Sequence, residues 1–147
     1  SRIMSLKDGT KKMSKSELSD LSRINLTDSS DEIINKIKKA KTDPMPMPTN
    51  KDELNKRPEA KNLIGIYSSL TGLTFEKSIN EFSGKNFSEF KEKLSQVLVE
   101  KISPISKEIK KLLSDKIFLD QILDEGYEKA NKIASLKLKK IHEIVGF

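Results

Sequence analysis

An all-α helical bundle preceded by a basic loop is the fold this sequence predicts, and three observations predict it. From Ser29 onward, apolar residues recur at steps of three and four. Helix-start residues, Ser29, Thr74 and Asp115, each stand just before such a run. No apolar–polar alternation long enough for a useful strand follows Thr27, and no internal repeat is visible.

Residues 1–27 have little helical period. They hold Gly9, many Ser and Thr, and a dense basic stretch, while Arg2-Ile3-Met4-Ser5 reads as the end of a strand. Ser29 and Glu32 are spaced as a capping box, in which side chain and backbone at the two positions satisfy each other. Ile33, Ile34, Ile37 and Ala40 then share one face, and Asp43-Pro44 stops the helix. Pro44, Pro46 and Pro48 each remove a donor and bias their neighbours to extended geometry, so 44–48 reads as a stiff connector. Met45 and Met47 within it are expected to pack onto the bundle.

A second helix starts at Pro58, a favoured first-turn residue. It carries Leu63, Ile66, Tyr67 and Leu70 and stops at Gly72. Thr74 caps a third, with Ile79 and Phe82, ended by Gly84. Ser88 opens a long fourth segment from Phe90 to Leu112, which Pro104 is expected to kink or break near Ile102 and Ser103. Asp115 caps a fifth with Phe118, Ile122 and Leu123, closed at Gly126. In the last helix Tyr127, Ala130, Ala134, Leu138, Ile141 and Val145 fall at steps of three and four.

With 147 residues, 35% of them hydrophobic, the chain is one domain or one domain plus an appendage, large enough for a real core. The absence of Cys excludes disulfides, thiolate metal sites and a thiol nucleophile, and the lone His142 excludes a His cluster. A partly exposed structural role suits His142 better than a catalytic one. Apolar runs of four or five residues cannot span a bilayer, so no membrane partner is expected. The net charge of +6 makes polyanions natural partners. No secretory signal opens the chain, and the opening Ser1 gives the expectation of a piece of something longer.

One stretch carries chemistry. Up to Ser16 there are five cations, Arg2, Lys7, Lys11, Lys12 and Lys15, against the single anion Asp8. Within Lys12-Met13-Ser14-Lys15-Ser16, two lysines three residues apart stand among small hydroxyl residues. Lysine presents a compact, mobile point charge that suits a polyphosphate, and hydroxyls with backbone N–H groups add donors without bulk. Gly9 is expected to give the loop room to open and close. Read from residue types alone, a solvated basic loop remains the plainer alternative.

The pentapeptide itself is the KMSKS signature of class I aminoacyl-tRNA synthetases. With 3–11 before it, Ser22-Arg23-Ile24-Asn25-Leu26-Thr27-Asp28 after it, Lys41-Thr42-Asp43-Pro44, Arg57-Pro58-Glu59-Ala60 with Asn62-Leu63, Gly65-Ile66-Tyr67 and Asp124-Glu125-Gly126, the chain closely resembles the C-terminal portion of bacterial tryptophanyl-tRNA synthetases. The resemblance implies that 1–27 ends a nucleotide-binding catalytic domain and that 28–147 is an anticodon-binding helical domain. It implies ATP with Mg2+ as substrate, tryptophan and tRNA(Trp) as partners, a cytoplasmic location and a homodimeric parent, with this portion on its own expected as a monomer. It further implies that Lys12 and Lys15 stabilise charge on the departing pyrophosphate, that Met13, Ser14 and Ser16 shape the loop and donate hydrogen bonds, and that Ile3 lies against adenine through its backbone.

The sequence departs from the family pattern after the pentapeptide, where Glu17-Leu18 stands in place of Asp-Pro and the rigid turn is lost. The HIGH-type signature and the tryptophan pocket have no counterpart in these residues, so the chain alone is expected not to catalyse adenylation. The sister tyrosyl enzyme shares the motif; the expectation that no S4-like tail follows the bundle counts against it. A non-catalytic helical RNA-binding module and a purely structural bundle are the rivals from other classes. Lys129, Lys132, Lys137, Lys139 and Lys140 on the last helix read either as a solvated face or as contacts to tRNA phosphates. Arg57 and Glu59 read as helix-start and bridging residues. Asp120, Asp124 and Glu125 read as a cap and surface feature without metal spacing.

Overall fold

The computed structural model describes residues 2–146. Six α-helices follow a 3-10 turn at Asp20–Ser22: α1 Ser30–Lys38, α2 Lys51–Asn55, α3 Pro58–Thr71, α4 Phe75–Phe82, α5 Phe87–Ser114 and α6 Lys116–Val145. Among the described residues there is no strand, only one isolated antiparallel bridge between Met4 and Lys12. The chain divides into two compact units, Ser1–Lys107 and Glu108–Phe147.

Local chemistry sets most helix starts. The Ser29 hydroxyl accepts from the Glu32 N–H at 3.3 Å while the Ser29 N–H donates to the Glu32 carboxylate at 2.7 Å, completing the capping box. Thr74 and Asp115 cap α4 and α6 as expected. Gly72 ends α3 in the left-handed conformation (φ 73°), which only glycine adopts without strain. The short α2 was not foreseen. Asn50 caps it, accepting from the Glu53 N–H at 2.9 Å, directly after the proline connector.

Two expected breaks are absent. α5 runs through Pro104. The ring removes one intrahelical hydrogen bond, but Ile102 and Ser106 on either side are buried and hold the helix in register. Gly126 does not end a helix either, so the fifth and sixth expected helices are one. Its φ is not positive, and a helical glycine with no proline beside it costs propensity without forcing a stop.

The core of the first unit gathers Ile33 and Ile37 of α1, Leu63, Ile64 and Tyr67 of α3, Ile79 and Phe82 of α4, and Phe90, Leu94 and Leu98 of α5. Tyr67, Phe82 and Phe90 meet edge to face, with centroids 5.0 Å, 6.1 Å and 4.8 Å apart, a geometry that pairs ring edges with ring faces. Met47 is buried in this core, whereas Met45, expected beside it, is exposed. Ile34 is also exposed; it lines an apolar groove of about 750 Å³ with Phe87 and Val99.

Arg57 closes the connector onto α3. Its guanidinium holds Asp43 through Nε–Oδ2 (2.8 Å) and Nη2–Oδ1 (2.6 Å) and donates to the Pro46 carbonyl at 2.7 Å. Glu59 pairs with Lys41 at 2.9 Å, so both residues bridge elements as expected.

The second unit is different. No described residue of α6 is buried, so Tyr127, Leu138, Ile141 and Val145, whose spacing suggests a packed face, stand exposed. Asp120, Asp124 and Glu125 lie in mid-helix rather than near an end, with Glu125 3.5 Å from Lys129. His142 is exposed, and its carbonyl accepts the Gly146 N–H.

Candidate functional site

The basic loop is built on a short antiparallel pairing. Ser5 N–H donates to the Lys11 carbonyl (2.8 Å) and Met13 N–H to the Ile3 carbonyl (3.1 Å), so residues 3–5 lie beside 11–13. Between them Asp8 organises the turn. Its Oδ1 accepts from the Thr10 N–H (3.0 Å) and hydroxyl (2.6 Å), and these bonds, the hydroxyl first, hold its carboxyl below the usual range.

Two contacts fix this pairing to the helices. Asn62 on α3 accepts from the Met4 N–H and donates to the Met4 carbonyl. Gly9 is buried against the start of α3, where a Cβ would lie 2.5–2.7 Å from the backbone of Pro58 and Glu59. The expected freedom of Gly9 is therefore replaced by close contact: glycine is needed because another backbone occupies the space of a side chain.

Lys12, Ser14, Lys15 and Ser16 project from this frame into solvent, and Met13 packs against the core. The amines of Lys12 and Lys15 make no ion pair among the described residues. The Ser14 and Ser16 hydroxyls are 2.8 Å apart, and the Ser16 N–H donates to Ser14 at 3.3 Å. Where proline would stiffen the next turn, Arg23 does so instead, with Nη1 donating to the Glu17 carbonyl at 2.9 Å.

Ile3, Lys12, Met13, Ser14 and Lys15 line one cleft of about 620 Å³, and Ser16 stands just outside its lining. Arg2, Arg23, Ile24, Asn25, Leu26 and Thr27 complete it. Four cations and no carboxylate thus face the cleft, with apolar walls from Ile3, Ile24 and Leu26. That combination suits a ligand with a flat apolar part and several negative charges, held by fixed donors in a partly enclosed space.

Behind the cleft lies a cluster that sequence reading missed. Lys36 of α1 is 3% exposed, yet its amine reaches Asp28 Oδ2 at 2.7 Å and Asp20 Oδ2 at 2.5 Å. Burial works against its charge, but the hydrogen bonds to Asp20 and Asp28 outweigh this and raise its pKa. The bond from Lys36, then that from Asn25, holds the Asp20 carboxyl low. The available signal was position: Lys36 follows buried Ile33 by three residues and adjoins buried Ile37, which puts a cation on the apolar stripe of α1.

A family model described as class I tRNA synthetases (W and Y) matches residues 1–103. The tryptophan–tRNA ligases of Rhizobium meliloti and Caulobacter vibrioides are 49% and 47% identical to the chain over 146 residues. Those matches cover 99% of this chain but only 41% and 42% of the relatives' lengths. Among solved structures, a tryptophanyl-tRNA synthetase from Campylobacter jejuni, complexed with ADP and tryptophan, superposes with a TM-score of 0.78 at 24% identity. It is matched over 100% of this chain and 44% of its own. The enzyme from Mycoplasma pneumoniae gives 0.71, also at 24% identity. Both likenesses show a shared fold.

Proposed function

Because the chain belongs to the class I tRNA synthetases for tryptophan and tyrosine, we propose that it supplies the ATP-phosphate loop and the anticodon-binding helices of a tryptophan–tRNA ligase. The observation that carries this reading is the cleft lined by Lys12, Lys15, Arg2 and Arg23, with no carboxylate in its lining and walls from Ile3, Ile24 and Leu26.

The reaction has two steps. A carboxylate oxygen of tryptophan attacks the α-phosphorus of ATP, the bond to the bridging oxygen breaks, and pyrophosphate leaves. The terminal hydroxyl of the tRNA then attacks the acyl carbon of the adenylate and AMP leaves. Lys12 and Lys15 face the β- and γ-phosphates, where negative charge grows as the bond breaks. Stabilising that charge with preplaced donors lowers the barrier without a covalent protein intermediate. Ser14 and Ser16 donate to phosphate oxygens, Met13 anchors the loop on the core, and the Ile3 backbone lies beside adenine. ATP enters as its Mg2+ complex, the ion carried by the nucleotide. Among the described residues no group of three His, Cys, Asp or Glu side chains gathers to hold a metal.

In this reading residues 1–27 end the catalytic domain and 28–147 form the helical domain that meets the anticodon of tRNA(Trp). Exposed Lys129, Lys132, Lys137, Lys139 and Lys140 supply phosphate contacts, which position RNA without reading it. The tryptophan pocket and the homodimer contacts are assigned to the parent's remaining length, and the parent to the cytoplasm. No helix among the described residues is long and apolar enough to cross a membrane.

ATP–pyrophosphate exchange by the full-length parent, with tryptophan and tyrosine run side by side, tests the proposal. Exchange with tryptophan alone, reduced about 100- to 1,000-fold by Lys12→Ala or Lys15→Ala, is the expected result. Exchange with tyrosine alone would move the chain to the sister enzyme, and none with either amino acid would overturn the reading.

A further inference from the structure

We infer that Lys36, buried in α1 and remote in sequence from the phosphate loop, is a positioning residue that fixes the exit of that loop from beneath. The inference rests on the phosphate role proposed for Lys12 and Lys15.

The entry of the loop is held by backbone pairing and by Gly9; past Ser16, the exit first pairs with the entry at Ser22, whose carbonyl accepts the Leu6 N–H at 2.8 Å. After Ser16 the chain passes Glu17 and the fully exposed Leu18 before reaching the 3-10 turn at Asp20–Ser22. What holds residues 17–21, ahead of that bond, is a chain of charged contacts. Lys36 Nζ bonds Asp20 Oδ2, Asp20 Oδ1 lies 2.9 Å from Arg23 Nη2, and Arg23 Nη1 donates to the Glu17 carbonyl. Asn25 braces the same chain, donating to Asp20 at 3.0 Å and to Asp28 at 3.1 Å. Lys36 is the one member rooted in a helix and packed among core residues, so it is the fixed end.

The charges explain why a cation sits there. Asp20 and Asp28 balance Arg23 and Lys36, two against two. Without Lys36, two carboxylates would share one guanidinium, and buried Asp28 would keep only Asn25. Arg23 would then be drawn from the Glu17 carbonyl toward the carboxylates, and the segment carrying Lys15 and Ser16 would lose its fixed exit. A methionine could fill the space of the lysine stem without supplying this bond. Displacements of about 1 Å in groups that meet a transition state cost up to about 100-fold in rate.

The test uses the full-length parent with Lys36→Met, Lys36→Arg and Asp20→Asn. Lys36→Met should raise the KM for ATP, or lower kcat for exchange, about 10- to 100-fold, with the KM for tryptophan within twofold of the wild type. Lys36→Arg should recover most of that loss, and Asp20→Asn should shift the ATP parameters in the same direction. The double variant should be no worse than Lys36→Met alone, because both cut one chain of contacts. Hydrogen exchange adds a readout independent of activity: the backbone amides of 14–18 should lose protection in Lys36→Met while those of α3 keep theirs.

A merely structural lysine would lower the unfolding midpoint and the fraction of active sites but leave the KM for ATP and the protection of 14–18 unchanged. That result would overturn the inference. Should Lys36→Met fail to fold, the exposed Asp20→Asn variant carries the test, and unchanged ATP parameters there would sink it. Failure of the wild-type parent to exchange at all would count against the proposed function, whereas the protection of 14–18 would still report whether Lys36 holds the loop.

Discussion

Asn62 and Met4 stand 58 positions apart yet make two reciprocal hydrogen bonds, Met4 N–H to Asn62 Oδ1 at 2.9 Å and Asn62 Nδ2 to the Met4 carbonyl at 2.8 Å. A side-chain amide here completes the pairing that a neighbouring strand would give a backbone. On its other side Met4 bridges to Lys12, so the Lys12 backbone is referred to α3 through the Asn62 amide. Asn62→Asp removes the donor and places a charge where the amide was. It should cost about 1–3 kcal/mol, read by urea unfolding, and it should lower exchange in the parent.

Gly9→Ala should be destabilising out of proportion to one methyl group. The new Cβ would fall 2.5 Å from the Pro58 carbonyl carbon and 2.6 Å from the Glu59 nitrogen, both backbone atoms at a helix start. Neither is the far end of a flexible side chain, so the turn must shift, at about 1–3 kcal/mol. Gly84→Ala is the informative comparison: no atom lies within 4 Å there, but φ is 70°, so its cost is conformational rather than steric.

Arg57→Lys keeps the charge and loses the fork. Only a guanidinium can meet both Asp43 oxygens and the Pro46 carbonyl in one plane. A loss of about 1–3 kcal/mol is expected in thermal unfolding. The acid limb should change as well. Burial pushes the Asp43 carboxyl up, but the bond from Arg57 outweighs it and the pKa is lowered. A carboxyl lowered in the fold adds stability above its unfolded pKa, near 4, and that stability fades as pH falls through the folded value. Arg57→Lys should shrink the contribution.

Alkaline titration reports on the aromatic cluster. Burial, then the hydrogen bond to Glu81 (2.9 Å) and its charge, pushes the Tyr67 hydroxyl up to about 12. The folded state therefore favours the neutral phenol. Its contribution is whole below the unfolded pKa near 10 and is lost as pH rises to about 12, by roughly 2–3 kcal/mol. In a Tyr127→Phe background, absorbance at 295 nm should place the midpoint near 12, and Glu81→Gln should bring it down.

What the residues disclosed in advance was local. Ser29 with Glu32, Thr74, Asp115 and Gly72 act within a turn of themselves, so their roles follow from near neighbours. Pro104 and Gly126 misled because a break depends on what packs beside them, and spacing does not carry that. α2 was hidden by the prolines before it, though Asn50 was a visible cap. The loop lysines were legible as a motif, and Ile3 joined them through the resemblance. Arg23 and Asn62 stood within the resemblance, but their contacts, like those of Lys36, were not legible, because each acts on a partner that only the fold brings near. The same reason defeats the apolar face of α6: periodicity states that a face exists, never what meets it.

The wet face of α6 has a consequence for cellular fate. Tyr127, Leu138, Ile141 and Val145, which share one face, all stand more than half exposed. Exposed apolar surface makes a chain prone to aggregate and is what chaperones act on. A chain displaying this stripe would be handled by quality control as though unfolded, although its helix is fully formed. Its steady-state abundance would then depend on how quickly the stripe is shielded after synthesis as well as on the free energy stored around Phe90.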